Sequence, residues 1–461
     1  MWLKMVSETG LASFSTERGK KMTQFKTVQL ILVGLALLST AAHADDPLGL
    51  PLVAIDDVKN HYQGSFKVEH SDSVSSTGYA SGRVAYHPGR NSVFVDSHVY
   101  QQAIGEFRIP SSLSTSTDKS KLPNASVLQG FTVVQNRTDT GNPQSLNKIG
   151  GMAVIDGELF VQRYVSYDAG GETTHNTMVV RNATNLSGSE VDGYFQMDGG
   201  ARVVNYISPI PPAWQSVLGG DYLAGQGSGM SIASRNSEGP SLYAFSKNDF
   251  DNRSSGTVSA RAWLNYPVER ALSTTLWQDS TVPGYGIWDA YNNTGLNTLW
   301  TEYSAAHVGF IYPGSRTFVV LGVSGMHEHG GGYKITTSTG STCGGPCPYD
   351  NEDVHTYYWL YDLKEVVNAD KSYEPLPYDW GVFDDRWVGF WGKGATGTIS
   401  GGAFDPESGT LVISHVAGSA SHESGSPIIS VYKLPKEPTQ NSASSVPPDS
   451  PSSVRVTPLS N

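Results

Sequence analysis

The sequence predicts an all-β fold: a β-propeller with five blades, and with seven at most. Three observations support this prediction: a repeated hairpin pattern, many turn-forming residues, and few segments that could form long amphipathic helices. The 461 residues include 50 Gly, 25 Pro and 23 Tyr, and only 16% of them are charged. Such a composition is typical of short strands joined by many turns.

The N-terminal residues 1–44 are interpreted as a signal peptide with an upstream extension before Met22. A basic segment precedes an apolar run from Val28 to Leu38, and small residues lead to Ala44. This is the pattern of a cleavable export signal. The run of about eleven residues is shorter than the roughly 20 that a membrane-spanning helix needs. We therefore expect an exported protein, periplasmic or extracellular, without a membrane span.

Residues 45–435 are expected to form the propeller, and residues 436–461 a disordered tail. The tail is rich in Pro and Ser, with too few apolar side chains to offset the entropy of ordering it. The propeller region is large for one simple core. It is normal for a chain that divides its core among repeated sheets.

The repeat is a hairpin followed by a loop and a third strand. Clear copies are GRVAYHPGRNSVFVDSH, GGMAVIDGELFVQRY, GFIYPGSRTFVVLG and GGAFDPESGTLVISH, and RVVNYISPIP begins a weaker fifth copy. Each clear copy starts with Gly, alternates, turns at Pro, Asp or Gly, and returns as a β-branched strand. The first strands are predicted to begin near Gly82, Gly150, Arg202, Gly309 and Gly401. Residues 255–305 are predicted to supply fourth strands or a further blade.

A sheet of three or four strands cannot bury both of its faces alone, and radial stacking of such sheets solves this problem. A β-sandwich with long loops is the alternative, but it would not require one hairpin design repeated along the chain. The pattern over residues 60–435 resembles the broad group of secreted bacterial β-propeller proteins. This resemblance implies the fold and no catalytic residue.

The ends of equivalent strands open on one face of a propeller, so residues that follow the second strand of each repeat are candidate site residues. The catalytic candidates are His98, Arg163, Tyr164, Arg235 and His415. Arginine binds carboxylates through paired hydrogen bonds, and histidine or tyrosine can transfer protons. This combination favours a lyase that cleaves a uronate-containing polysaccharide by β-elimination. Tyr100, Tyr167 and Trp391 are candidates for stacking on sugar rings.

Two other functions fit the sequence. A glycoside hydrolase needs two facing carboxylates, and the candidates are Asp96, Asp168, Glu238, Asp289, Glu302 and Glu423. A propeller that binds a glycan or a protein without catalysis would use the same aromatic residues. The net charge of −12 disfavours nucleic acid as a partner, and a monomer is expected.

The two cysteines of the chain, Cys343 and Cys347, lie in the pattern H-x-H-x13-C-x3-C-x7-H. Two thiolates with His327 and His355 would suit a structural zinc ion, and His329 could replace either histidine. The alternatives are a disulfide, which export favours, and free thiols. Calcium in the central channel is a second candidate cofactor.

Overall fold

The computed structural model describes residues 46–165, 168, 171–228, 237–273, 289–384, 386–387, 397–417 and 426–436. The predicted signal peptide and nearly all of the predicted tail lie outside these ranges. Within them the protein is mostly β, with three short α-helices: α1 (Asp56–Lys59), α2 (Pro212–Leu218) and α3 (Leu363–Asn368). In the described part of the chain, no helix is long and apolar enough to cross a membrane.

The strands, in chain order, are β1 (Tyr62–Lys67), β2 (Val84–His87), β3 (Ser92–Asp96), β4 (Ile104–Arg108), β5 (Ser126–Thr132), β6 (Lys148–Ile155), β7 (Glu158–Tyr164), β8 (Thr177–Val180), β9 (Val191–Met197), β10 (Tyr206–Pro209), β11 (Tyr222–Gly225) and β12 (Gly227–Ser228). They continue with β13 (Leu242–Phe245), β14 (Gly256–Val258), β15 (Ala260–Leu264), β16 (Ala305–Ile311), β17 (Thr317–Gly325), β18 (Gly331–Tyr333), β19 (Pro346–Pro348), β20 (Val354–Asp362), β21 (Asp379–Val382), β22 (Gly397–Asp405), β23 (Thr410–Ala417) and β24 (Ile428–Lys433).

Five sheets form five blades in a ring, so the predicted β-propeller is confirmed with five blades. Blade 1 is β2-β3-β4-β5, blade 2 is β6-β7-β8-β9 with β14 at its outer edge, and blade 3 is β10-β11-β13-β15. Blade 4 is β16-β17-β20-β21 with β12 beside its inner strand, and blade 5 is β22-β23-β24-β1. The inner strands β2, β6, β10, β16 and β22 contact one another in this order around the channel.

The ring closes through a strand from the N-terminal side of the domain. Strand β1 pairs antiparallel with β24 and supplies the fourth strand of the last blade. Sequence reasoning missed this strand because it lies outside the repeated pattern. The predicted stretch 255–305 supplies β14 and β15 as outer strands, whereas its segment GLNTLWTEY is not a strand but leads into β16.

The core consists of five apolar layers, each between two neighbouring blades. Strand β3 shows how the layers arise: Val93 and Val95 pack toward blade 5, whereas Phe94 packs toward blade 2. Successive side chains of a strand point to opposite faces, and both faces of every blade are covered. Each fully buried Val or Phe contributes on the order of 1.5–3 kcal/mol, which explains why the repeats read as nearly continuous β-branched and aromatic runs.

The inner strands approach each other closely at one end of the ring. A side chain at Gly150 would put its Cβ 1.7 Å from the carbonyl oxygen of Val204, so only glycine fits there. In β16 and β22 the pairing register skips His307 and Ser400, which leaves these two residues as β-bulges. Bulges redirect side chains away from the regular pleat. At this end of the ring the second strands end and the inner strands begin, and we call it the mouth face.

Candidate functional site

At the mouth face, the side chain of Arg83 from blade 1 reaches the inner strand of blade 4. Its Nη1 donates to His307 Nδ1 at 3.0 Å and to the Ser400 carbonyl oxygen, in blade 5, at 2.8 Å. Because Arg83 only donates, His307 accepts on Nδ1, which places its own proton on Nε2. Burial, together with the charge of Arg83, holds the pKa of His307 well below its usual range. Three blades are thereby linked through one guanidinium.

Asp96 anchors the segment that carries Arg83. Its carboxylate accepts hydrogen bonds from the backbone N–H groups of Ser81 at 2.9 Å and Arg83 at 2.8 Å. Burial raises the pKa of Asp96 to about 6, although these hydrogen bonds oppose the rise. Sequence reasoning named Asp96 but missed Arg83 and His307. Arg83 directly precedes β2, whereas His307 is the bulged residue inside β16, so no single position of the repeat would have found both.

Two predicted catalytic residues, Arg163 and His415, are buried within the sheets. Each is only 1% exposed. Arg163 shares the face of β7 that carries Leu159 and Val161, and its Nη2 donates to the Leu146 carbonyl oxygen at 3.2 Å. Burial lowers its pKa, and its Nε and Nη1 atoms have no hydrogen-bond partner among the described residues. In this arrangement Arg163 contacts the protein interior between blades 1 and 2.

His415 continues a buried stripe in the same way. It follows Leu411 and Ile413 on one face of β23, and its ring lies 6.1 Å from that of Trp387. Burial is the main cause that lowers its pKa to about 3, and Arg386 adds to the effect. A histidine that stays neutral and sealed at neutral pH cannot donate a proton to a bound sugar. The structure therefore does not bring His415 and Arg163 to the mouth surface as the sequence predicted.

The remaining predicted residues divide into two groups. His98 and Tyr164 are half-buried at the ends of their second strands, and Tyr100 is exposed. The second group lies outside the described residues, so the structure does not test its predicted roles. It consists of Arg235, Tyr167 and Trp391.

Cys343 and Cys347 form a disulfide in the structure. A disulfide has no thiolate, so these sulfurs are not available to zinc in this oxidation state. The bond joins Cys343, in the loop between β18 and β19, to Cys347 in β19. These two strands form a hairpin that belongs to none of the five blades. Among the described residues, no group of three or more His, Cys, Asp or Glu is arranged to hold a metal ion. Zinc binding by the reduced chain and calcium binding in the channel stay predictions.

His327, proposed from the sequence as a zinc ligand, uses both ring nitrogens within the protein. Its Nδ1 lies 3.2 Å from the Asn297 carbonyl oxygen and its Nε2 lies 2.8 Å from Ser324 Oγ. The ring stacks on Tyr357 at 4.9 Å. The other predicted histidine, His355, lies in β20 with its Nε2 3.9 Å from Asp353 Oδ1. These contacts orient the loop after β17.

Glu238 and Glu302 form a buried pair of carboxyl groups between blades 3 and 4. Glu238 lies before β13 in blade 3 and Glu302 lies before β16 in blade 4, and both are almost completely buried. Burial raises the pKa of Glu238 well above its usual range, and the negative charge of Glu302 raises it further. The Trp300 indole opposes this rise, although its contact does not reach hydrogen-bond geometry.

The backbone around Glu238 is held firmly, whereas its carboxyl group is not. Its N–H donates to the Tyr266 carbonyl oxygen at 2.7 Å, and its carbonyl oxygen accepts from the Leu272 N–H at 2.7 Å. Neither carboxyl oxygen has a hydrogen-bond partner among the residues that the structure describes. A buried carboxyl group held in place but left without partners is costly for stability. Such groups with shifted pKa values concentrate at functional sites.

No protein-family model matches this sequence, and no curated protein matches it either. The function is therefore inferred from the geometry and chemistry of the residues described above.

Proposed function

We propose that the protein is a carbohydrate-active hydrolase in which Glu238 and Glu302 perform acid–base catalysis. The observation that carries the proposal is the buried, electrostatically coupled carboxyl pair, with the pKa of Glu238 raised by burial and by Glu302. Pairs of carboxyl groups whose environments separate their protonation states are the recurring device of glycoside hydrolysis.

In this mechanism Glu238 keeps its proton at neutral pH and donates it to the glycosidic oxygen as the bond to the anomeric carbon breaks. Glu302 acts as the carboxylate, either by taking a proton from the attacking water or by attacking the anomeric carbon itself. The separation of the two carboxyl groups distinguishes these routes: about 5–5.5 Å for direct attack and about 6.5–9.5 Å for an activated water.

The lyase that the sequence favoured has less support. A lyase would need Arg163 and His415 to act on the same substrate. Arg163 lies on the side of β7 that packs between blades 1 and 2, whereas His415 lies on the side of β23 that packs between blades 4 and 5. β-Elimination is therefore the alternative reaction that the following experiment distinguishes from hydrolysis.

The experiment incubates the mature protein with soluble neutral and acidic polysaccharides and measures new reducing ends together with the ultraviolet absorbance of unsaturated uronates. Reducing ends without that absorbance are expected, and the variant Glu238→Gln should remove them. The matched control is Glu158→Gln, a half-buried glutamate paired with Arg181 on the opposite face, which should remain active. Unsaturated products would establish elimination, and no product from any polymer would favour a non-catalytic binder.

A further inference from the structure

Three aromatic rings lie side by side on the mouth face of blade 1. The ring of His98 is 5.2 Å from that of Tyr79 and 5.0 Å from that of Tyr100. Tyr100 is 85% exposed and Tyr79 is 43% exposed. Tyrosines this exposed gain little from burial in the folded chain, yet their rings are held in an ordered row. We call these three residues the aromatic platform.

Backbone hydrogen bonds connect the two segments that carry the platform. The N–H of Val99 donates to the Tyr79 carbonyl oxygen at 3.1 Å, and the N–H of His98 donates to the Ser76 carbonyl oxygen at 2.8 Å. The N–H of Tyr100 donates to His98 Nδ1 at 3.1 Å, which fixes the ring of His98. These bonds arrange the rings before any ligand binds, and such preorganisation reduces the entropy cost of binding.

The loop is also tied to the neighbouring blade. Gln102 accepts a hydrogen bond on Oε1 from the N–H of Ile149, at 2.6 Å, and donates from Nε2 to the Val99 carbonyl oxygen, at 2.9 Å. Tyr79 and Gln102 both have positive φ values, 61° and 53°, which non-glycine residues rarely adopt. The loop is therefore held in a specific conformation that presents the platform outward.

The surroundings of the platform distinguish between possible ligands. Ser75 donates from Oγ to Gln101 Oε1 at 3.4 Å, and Gln135 Nε2 donates to the Gln101 carbonyl oxygen at 3.2 Å. Hydroxyl and amide groups of this kind suit the hydroxyls of a sugar. Asp72 accepts from the N–H of Ser75 at 3.1 Å, and its hydrogen bonds lower its pKa against the effect of burial, so that the segment leading to Tyr79 carries a negative charge.

We propose that Tyr79, His98 and Tyr100 form a binding subsite on which a ring of a neutral polysaccharide stacks. The apolar face of a pyranose ring matches an exposed aromatic surface, and the neutral rim supplies hydrogen bonds. The carboxylate of Asp72 and the net charge of −12 oppose a uronate or a nucleic acid at this place. The choice of a sugar as ligand rests on the proposed hydrolase function. It changes the role of His98 from proton transfer to binding.

The position of the platform indicates a long substrate. It belongs to blade 1, whereas Glu238 and Glu302 lie between blades 3 and 4, across the ring on the same face. A polymer that contacts both regions would have to span the mouth, so the platform acts on binding of the chain and not on bond cleavage. Loss of the platform should therefore weaken binding to long chains while leaving the catalytic pair intact.

The test measures retardation of the protein in native gels that contain soluble xylan, galactan, mannan, polygalacturonate or alginate. The assay uses the Glu238→Gln background so that the polymers are not degraded. At least one neutral polymer should retard the protein. Tyr100→Ala should weaken that association by about tenfold, the range found for stacking on aromatic side chains. Tyr100→Trp should keep it. Val127→Ala, an exposed residue on β5 of the same blade, is the matched control and should bind normally.

The proposal is overturned if Tyr100→Ala binds like its parent, if Val127→Ala loses as much affinity, if Tyr100→Trp also loses binding, or if only acidic polymers or no polymers are bound. Failure of the hydrolase proposal is seen separately. In that case the wild-type protein releases no reducing ends, while platform-dependent binding to the neutral polymer persists.

Discussion

Two clusters of carboxyl groups, one at each face of the ring, differ in whether positive side chains compensate their buried negative charge. On the face opposite the mouth, Glu158 lies 3.0 Å from Arg181 Nη1 and 3.4 Å from Lys247 Nζ, and Asp192 also pairs with Arg181. Burial alone would lower the pKa of Arg181, but its carboxylate partners Glu158 and Asp192 raise it above the usual value. At the mouth, Glu238 faces a like charge on Glu302.

The first cluster neutralises its charges, whereas the second raises the pKa of a carboxyl group at a cost in stability. In an ion-pair network of the first kind, removal of one partner leaves an uncompensated buried charge and destabilises the fold. A buried pair of like groups is maintained against stability, which is typical of sites that transfer protons. Under the proposed function, the blades are stabilised by ion pairs at one end and carry the acid–base pair at the other.

The largest expected effect comes from replacing one glutamate of each cluster, Glu238 or Glu158, with glutamine. Glu238→Gln should lower kcat by about 10²–10⁴-fold, as expected for a lost general acid, and leave the free energy of unfolding unchanged or higher. Glu158→Gln should keep kcat and lower the free energy of unfolding by about 1–2 kcal/mol through weakened pairing with Arg181. Kinetics and urea unfolding of both variants test this. Equal losses of activity would remove the distinction between the clusters.

The second prediction concerns acid stability and His415. Its folded-state pKa, lowered to about 3 mainly by burial, lies below the ordinary value of 6.5. The unfolded chain binds a proton that the folded chain cannot, so stability is complete above about pH 6.5 and falls as the pH drops toward 3. The loss between pH 7 and pH 4 should be about 3 kcal/mol.

Unfolding curves at several pH values measure this loss, and His415→Leu should lose correspondingly less stability in acid. A variant with the same pH dependence as the wild type would show that His415 is not the group responsible.

The third prediction removes the cation of the stabilising cluster. Arg181→Met keeps the apolar stem but leaves Glu158 and Asp192 without their guanidinium, so the free energy of unfolding should fall by about 2 kcal/mol. Activity should be preserved because this cluster lies away from the mouth. Arg108→Met, at an exposed position in β4, is the control and should change little. A normal unfolding curve for Arg181→Met would contradict a stabilising role.

The smallest effect is expected at the disulfide. Replacing both Cys343 and Cys347 with serine should lower the free energy of unfolding by less than about 2 kcal/mol, because the loop between them is short. Protein denatured without reductant should show no titratable thiol. One bound zinc per chain together with two titratable thiols would instead support the metal site considered from the sequence.

Much of the fold could be predicted because the hairpin signal is local. The start near Gly82 was placed within two residues of β2, and that near Gly401 within four residues of the start of β22. Strand β1 could not be found in this way, since it pairs with β24 from the other end of the domain. Pairing between distant segments leaves no periodic trace in the sequence.

The site was predicted less well because strand ends were treated as surface loops. Arg163 and His415 stand where the repeat places a strand end, but each also continues an alternating apolar stripe into the layer between two blades. In a propeller both faces of every sheet are covered, so a residue at a strand end is exposed only if the next blade stops short of it. That condition depends on packing and not on position in the repeat.

The sequence by itself determined the five repeated sheets, the turns between their strands and the side-chain alternation that forms the five apolar layers, because these properties depend on neighbours along the chain. Only the tertiary structure decided that Arg83 reaches His307, that the two cysteines are bonded, and that Glu238 and Glu302 meet between blades 3 and 4. The two glutamates come from loops more than sixty residues apart, and they approach each other only because blades 3 and 4 pack together.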